Sequence, residues 1–402
     1  MVFRRGLLDF TPGGWYNVPC QGVLCMKVLI LSCNTGGGHN AAGGALAQCL
    51  RERGHEAEQV DFLALAGEKV SQLVSGAYVE MVKRLPALFG VTYGLGRAVS
   101  TAEHLLKLRS PVYAACAQVV PALEQYLKEH PCGAVVAPHM FPAMALTEMK
   151  RRGMALPLTA AVATDYTCIP FFEEADCDYV LLPGPMCVGE FERRGIPAEK
   201  LVPIGIPVAE EFRQRVGKAE VRRLLGLEEG RRWVLVMGGS MGAGQIAQLT
   251  RSLLYLMERD VCFVVVCGSN ERLYQKMVRN YGGNERVRVV GYTAQVARYM
   301  EASDLLYTKP GGITTTEGAV MGVPMVHMRP IPGCESRNRE LFTREGMSVS
   351  ARGVLALAVK GRRLLASPER QEAMRQAQRR QVAADAAAQI AGFLEEHVEV
   401  GP

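Results

Sequence analysis

Two glycine-rich turns, each set between an apolar run and a helix-like segment, carry the side chains best suited to chemistry. The first reads CNTGGGHNAAGG, follows KVLILS, and holds His39 at its tip beside Gly37 and Gly38. A backbone this bare lets a ligand approach closely, and an imidazole changes charge near neutrality, so His39 is a candidate general base. Its bland alternative is a helix-terminal histidine donating to a carbonyl. The turn also fits the G-x-G-x-x-A dinucleotide pattern through Gly36, Gly38 and Ala41, with Asp61 about 20 residues beyond, where an acid would meet a ribose. That alternative predicts an oxidoreductase and stays open on these residues alone.

The second turn, Gly238-Gly239-Ser240-Met241-Gly242-Ala243-Gly244, ends an apolar run and lacks the Gly-Lys-Ser/Thr ending of a Walker loop. Backbone N–H groups and the positive end of the following helix could receive a diphosphate there. Farther on, KPGGITTTE joins the cation of Lys309, a turn at Gly311 and Gly312, three threonine hydroxyls and the carboxylate of Glu317. A carboxylate can accept both hydroxyl protons of a ribose diol. Each piece has an ordinary reading too: a tight turn, a helix cap, a solvated glutamate. Asp165, at the end of the run LTAAVATD, is the second candidate base or an orienter of His39, against a plain turn-capping role. His139, in APHMFP, ends another run and is expected on the acceptor wall.

The elements that must position these residues alternate strand-like and helix-like from Met26 onward, the pattern of parallel sheets wrapped by helices. Strand runs are expected at 27–32, 55–63, 133–139, 158–165, 178–184 and 200–207, and the rhythm restarts at 232–244, 261–268, 287–292, 304–312 and 323–328. Two strand–glycine-loop–helix units in one 402-residue chain predict two Rossmann-like halves facing one cleft. Residues 26–210 are assigned to the first half, 211–375 to the second, and 376–402 to a helix and tail returning to the first. Residues 1–25 read as a disordered or mis-called extension rather than an export signal, because Asp9, Pro12, Gly13 and Gly14 break any apolar stretch. A net charge of +6 does not call for a nucleic-acid partner, and 12 cysteines without paired zinc spacing read as reduced core residues. No apolar run is long enough to cross a bilayer.

The ordered set TGGGH, VATDY, GIP, GGSMG, GYTAQVARYM, TKPGGITTTEG and PIPGCESRN, from about Met26 to Ser350, resembles the diacylglycerol glycosyltransferases: the monogalactosyldiacylglycerol synthases and the processive diacylglycerol glucosyltransferases. These share the α/β GT-B fold of two facing Rossmann-like domains with the peptidoglycan N-acetylglucosaminyltransferase. The resemblance implies inverting transfer of a hexose from UDP-glucose or UDP-galactose to diacylglycerol, with a polyprenyl-linked acceptor as the alternative, and no cofactor or metal. It implies Gly238, Gly239, Ser240 and Gly242 at the diphosphate, and Glu317 at the ribose. Tyr292 and Met300 would lie by the uracil, Lys309, Gly311 and Gly312 beside the phosphates, and Thr316 would serve as a hydroxyl partner. Gly37, Gly38 and His139 would face the acceptor, and Glu335 and Asn338 the sugar. Cys334 stands where the family carries glutamine, and a thiol cannot supply an amide's paired donor and acceptor, which leaves the sugar open. The stretch 81–112, with Lys83, Arg84, Arg97, Lys107 and Arg109 among leucines and aromatics, is expected to lie on an anionic membrane surface, at the inner face of the cell membrane.

Overall fold

The computed structural model describes residues 18–20, 23–34, 37–67 and 109–398. Two six-stranded sheets form its frame. In the first, the order is Glu56–Asp61, Lys27–Ser32, Ala134–Ala137, Leu158–Val162, Tyr179–Leu181, Leu201–Val202, every pair parallel. In the second it is Val287–Val290, Val261–Val266, Arg232–Met237, Leu305–Thr308, Met325–His327, Val349–Ser350, again all parallel. Parallel neighbours need crossover helices, which cover both faces and make strands uniformly apolar. Val261–Val266, VCFVVV, is buried at every position. Glu56–Asp61, EAEQVD, can be polar because it is an edge strand.

Each sheet starts in an interior strand, grows to one edge, then crosses back to fill the other side. The reversals fall between Lys27–Ser32 and Ala134–Ala137, and between Arg232–Met237 and Leu305–Thr308. Open α/β sheets take ligands in the crevice beyond the carboxyl ends of such strands. Here those ends face each other. A methyl group added at Gly38 would sit 3.1 Å from Ile313, one at Gly37 would sit 3.5 Å from Ser240, and one at Gly312 would overlap the Thr164 carbonyl oxygen. The glycines are thus where the two halves approach.

The chain returns to its beginning. Helix Pro368–Gln381 stays on the second half, where Gln378 donates to the carbonyls of Val323 and Met347. Helix Ala386–His397 crosses over, burying Ile390, Ala391 and Leu394 against Met26, Val28 and Ile30. Glu395 fixes its end by accepting from Arg53 and His55. Ahead of the first sheet, Val18–Cys20 pairs antiparallel with Val23–Cys25 inside the stretch expected as an extension. Of the basic segment expected to meet a membrane, positions 81–108 lie outside the described residues. Its described end leads into helix Pro111–Ala117, capped by Ser110, with Arg109 over the Tyr113 ring. Among the described residues no helix is long and apolar enough to cross a membrane.

Candidate active site

His39 lies in the first turn of helix Gly37–Glu52, at the first switch point. Its Nδ1 is 2.9 Å from the Pro138 carbonyl oxygen and 2.9 Å from Thr164 Oγ1. A carbonyl can only accept, so Nδ1 carries the proton of the neutral ring and Nε2 keeps its lone pair. Burial pushes the His39 pKa below its ordinary value, while the charge of Asp165 and the Pro138 carbonyl pull the other way. A neutral ring with Nε2 unprotonated is the state a base requires. His139 stands edge-on to it, ring centroids 4.5 Å apart, and its Nδ1 accepts from the Phe141 N–H as the cap of helix Met140–Arg151. Burial, then His39 itself, holds His139 well below the usual imidazole range. Both rings line one small crevice with Thr164, Asp165 and Phe172.

Across from His39 lies the 238–244 loop. Gly239 and Gly242 have φ of 70° and 58°, and a methyl group at Gly238 or Gly242 would overlap backbone of the loop or of Cys267. Only glycine satisfies both demands. The N–H groups of Gly242 and Ala243 close the turn onto the carbonyls of Gly239 and Gly238, leaving those of Gly239, Ser240 and Met241 without a backbone partner among the described residues. Gly242 therefore shapes the loop, and the three preceding amides are not spent on closing it. Lys309 runs across the loop, its Cε 2.7 Å from where a Gly239 methyl would be, and its ammonium pairs with Glu335.

Two connected spaces meet at Gly37, Gly38, Gly239, Ser240 and Thr314. The larger, about 420 Å³, is bounded by Glu317, Tyr292, Thr293 and Gly268, and also by Gln48 and Glu211. The smaller, about 170 Å³, is bounded by His39, Asp165, Lys309, Cys334 and Glu335. A nucleoside in the first space and a sugar in the second would leave a diphosphate at Gly239 and Ser240. Glu317 has its pKa pushed up to about 8, first by burial and then by the charge of Glu211. Among the described residues no cluster of His, Cys, Asp and Glu is arranged to hold a metal ion.

Several expected residues do other work. Thr316 is buried, donates to the Gly312 carbonyl at 2.7 Å and meets the Tyr166 hydroxyl at 2.7 Å, so it is closed to a ligand. Thr314 lines both spaces instead; three positions before Glu317, it shares that residue's helix face, a relation the 3.6-residue period contains. Asn338 is wholly buried and donates to Asp165 and the Pro310 carbonyl while accepting from the Tyr166 N–H, which leaves it no sugar-facing group. Asp165 does not bond to His39; Pro138 and Thr164 orient the ring, and Asp165 acts on it by charge. Glu335 borders the smaller space but is engaged by Lys309 and the Ile331 N–H. Met300 is fully buried in the core and walls no cleft. Asp61 caps helix Phe62–Leu65 and accepts from Asn34, the ordinary role of an acid after a strand.

Residues 39–208 match the family described as monogalactosyldiacylglycerol (MGDG) synthase, and residues 220–381 match glycosyl transferases group 1. Over 335 residues the chain is 28% identical to a processive diacylglycerol beta-glucosyltransferase of Bacillus mycoides, covering 81% of this chain and 82% of that protein. In fold it is similar to a UDP-bound MnaA of Staphylococcus aureus (TM-score 0.62, 12% identity, 92% and 97% of the two chains). It is likewise similar to MurG of Acinetobacter baumannii (TM-score 0.59, 14% identity, 92% and 99%).

Proposed function

We propose that this chain, a glycosyltransferase of GT-B architecture, moves a hexose from UDP-glucose or UDP-galactose to diacylglycerol or a glycosyl-diacylglycerol, with inversion at the sugar carbon. The observation that carries the reading is the meeting of two switch points in one cleft: an imidazole whose Nδ1 is held by the Pro138 carbonyl on one side, and a glycine loop, Lys309 and Glu317 on the other. Attack by a lipid hydroxyl on the sugar carbon needs a proton acceptor on the face opposite the leaving group, and His39 Nε2 takes that proton. The C–O bond to UDP breaks as the new one forms. The amides of Gly239, Ser240 and Met241 and the ammonium of Lys309 receive the charge that develops on the diphosphate. His39 becomes an imidazolium beside Asp165, whose charge stabilises it.

The lipid acceptor is supported by the names of the relatives matched over most of the chain. Peripheral docking at the inner membrane face is supported by the basic, apolar composition of 81–112. Supplied with labelled UDP-glucose, UDP-galactose or UDP-N-acetylglucosamine over diacylglycerol-containing vesicles, the protein should release UDP and form a labelled lipid with one of the two hexoses. Transfer only to a polyprenyl-linked acceptor, or none to diacylglycerol with any donor, would refute the assignment.

A further inference from the structure

The 164–166 loop belongs by chain to the first half but is held almost entirely by the second. Tyr166, 2% exposed, sets its hydroxyl 2.7 Å from Thr316 Oγ1 and its ring edge-on to Phe342 at 4.7 Å. Its N–H donates to Asn338 Oδ1 at 2.9 Å, and Asn338 Nδ2 donates to Asp165 Oδ1 at 2.7 Å. The Thr164 carbonyl lies where only a glycine, Gly312, leaves room. At the near end of the same loop, Thr164 Oγ1 is 2.9 Å from His39 Nδ1. The base therefore connects to the donor half through three consecutive residues.

Resting on the catalytic role proposed above for His39, we propose that Tyr166 and Asn338 are positioning residues: they hold Thr164 and Asp165 in register with His39 only while the two halves are together, so the base is set when the donor domain is docked. Opening would strip the Tyr166 ring and Phe342 of their packing and leave the Asn338 amide to water, which favours the closed pairing. Neither residue reaches the spaces that would hold the donor, so their loss should act on the chemistry rather than on nucleotide binding.

The test compares Asn338→Ala and Tyr166→Phe with the parent for kcat, UDP affinity by calorimetry, and titration of the His39 ring by NMR. Asn338→Ala should lower kcat about tenfold or more while the Kd for UDP stays within about threefold, the signature of an effect confined to the transition state. Tyr166→Phe should act in the same direction but more weakly, since it keeps the Asp165–Asn338 bond. Among the described residues, the titratable groups facing His39 are His139 and Asp165 beside it and Lys309, Cys334 and Glu335 across the space. Water admitted by a loosened loop relieves the burial that depresses His39, so its pKa should rise toward the ordinary value and the acid limb of kcat move to higher pH. A lower melting temperature with kcat and the His39 titration unchanged would overturn the proposal, and so would a loss of UDP affinity matching the loss of activity. If the parent transfers no sugar, the catalytic reading fails, while the His39 titration still decides the latch: an upward shift in Asn338→Ala supports it and no shift rejects it.

Discussion

At the scale of single residues, local environment divides the work between two groups with opposite needs. As the proposed base, His39 has to be neutral to accept a proton, and burial favours that state; its tautomer is set by a carbonyl that has no proton to give. In the proposed role Glu317 accepts two ribose hydroxyl protons as a carboxylate, yet burial and Glu211 push its pKa up to about 8. Near pH 7 the carboxyl is thus mostly protonated before the nucleotide arrives, and binding through the carboxylate should expel that proton. UDP binding should therefore tighten as pH rises toward 8, with calorimetric heats near pH 7 that vary with the ionisation enthalpy of the buffer. Glu317→Gln should abolish the buffer dependence and weaken binding. Heats indifferent to buffer in the parent would show that Glu317 does not take up the ribose as an anion.

At the scale of elements, the glycines at the tips of strands and the starts of helices decide what can come close. Gly312→Ala should drive a methyl group into the Thr164 carbonyl oxygen, separating the halves. The expected result is a larger radius of gyration in solution scattering and a kcat lowered about tenfold or more. An unchanged radius and unchanged kcat would mean the halves do not dock through this helix. Gly242→Ala should instead collapse the donor loop, because that position needs a positive φ and its methyl group would overlap the Cys267 carbonyl; lost UDP affinity is the readout. Much of this was legible from the chain. Apolar runs between turn residues marked the strands, and the glycine loops with His39, Lys309 and Glu317 emerge at the switch points. What stayed hidden was three-dimensional engagement. Thr316 and Thr314 are equal as letters, but only the helix face that Glu317 defines separates them. Asn338 reads as a sugar amide until Tyr166 and Asp165 arrive from more than 170 positions away.

At the scale of the whole molecule, the last helix closes the first domain. Ile390, Ala391 and Leu394 cover the apolar face of the first strand, so the first sheet is completed only by the chain's final turns. Leu394→Ala should cost about 2 to 5 kcal/mol of stability, the range for emptying a buried leucine site. It should lower the melting temperature without changing UDP affinity per folded molecule. The charged clamp at this helix end adds a pH dependence: Arg53 first and then His55 hold Glu395 down to about 2. A depressed carboxylate stabilises above its unfolded pKa and loses that contribution as pH falls through its folded one. Glu395→Gln should therefore narrow the gap in melting temperature between pH 7 and pH 3; an unchanged gap would show that the clamp contributes nothing. The basic stretch 81–112 belongs to this scale as well. Replacing Lys83, Arg84 and Arg97 with glutamine should release the protein from anionic vesicles at low salt, while equal sedimentation of variant and parent would remove that stretch as the docking surface.

The most direct measurement is single-turnover transfer to diacylglycerol by the parent and by His39→Ala, with UDP affinity measured on the same samples. A positioned base contributes about 10²- to 10⁴-fold, so the variant should lose at least that lower factor while binding UDP as tightly as the parent. Transfer by His39→Ala within a few-fold of the parent, with the variant folded and UDP bound, would contradict the central role given to that imidazole.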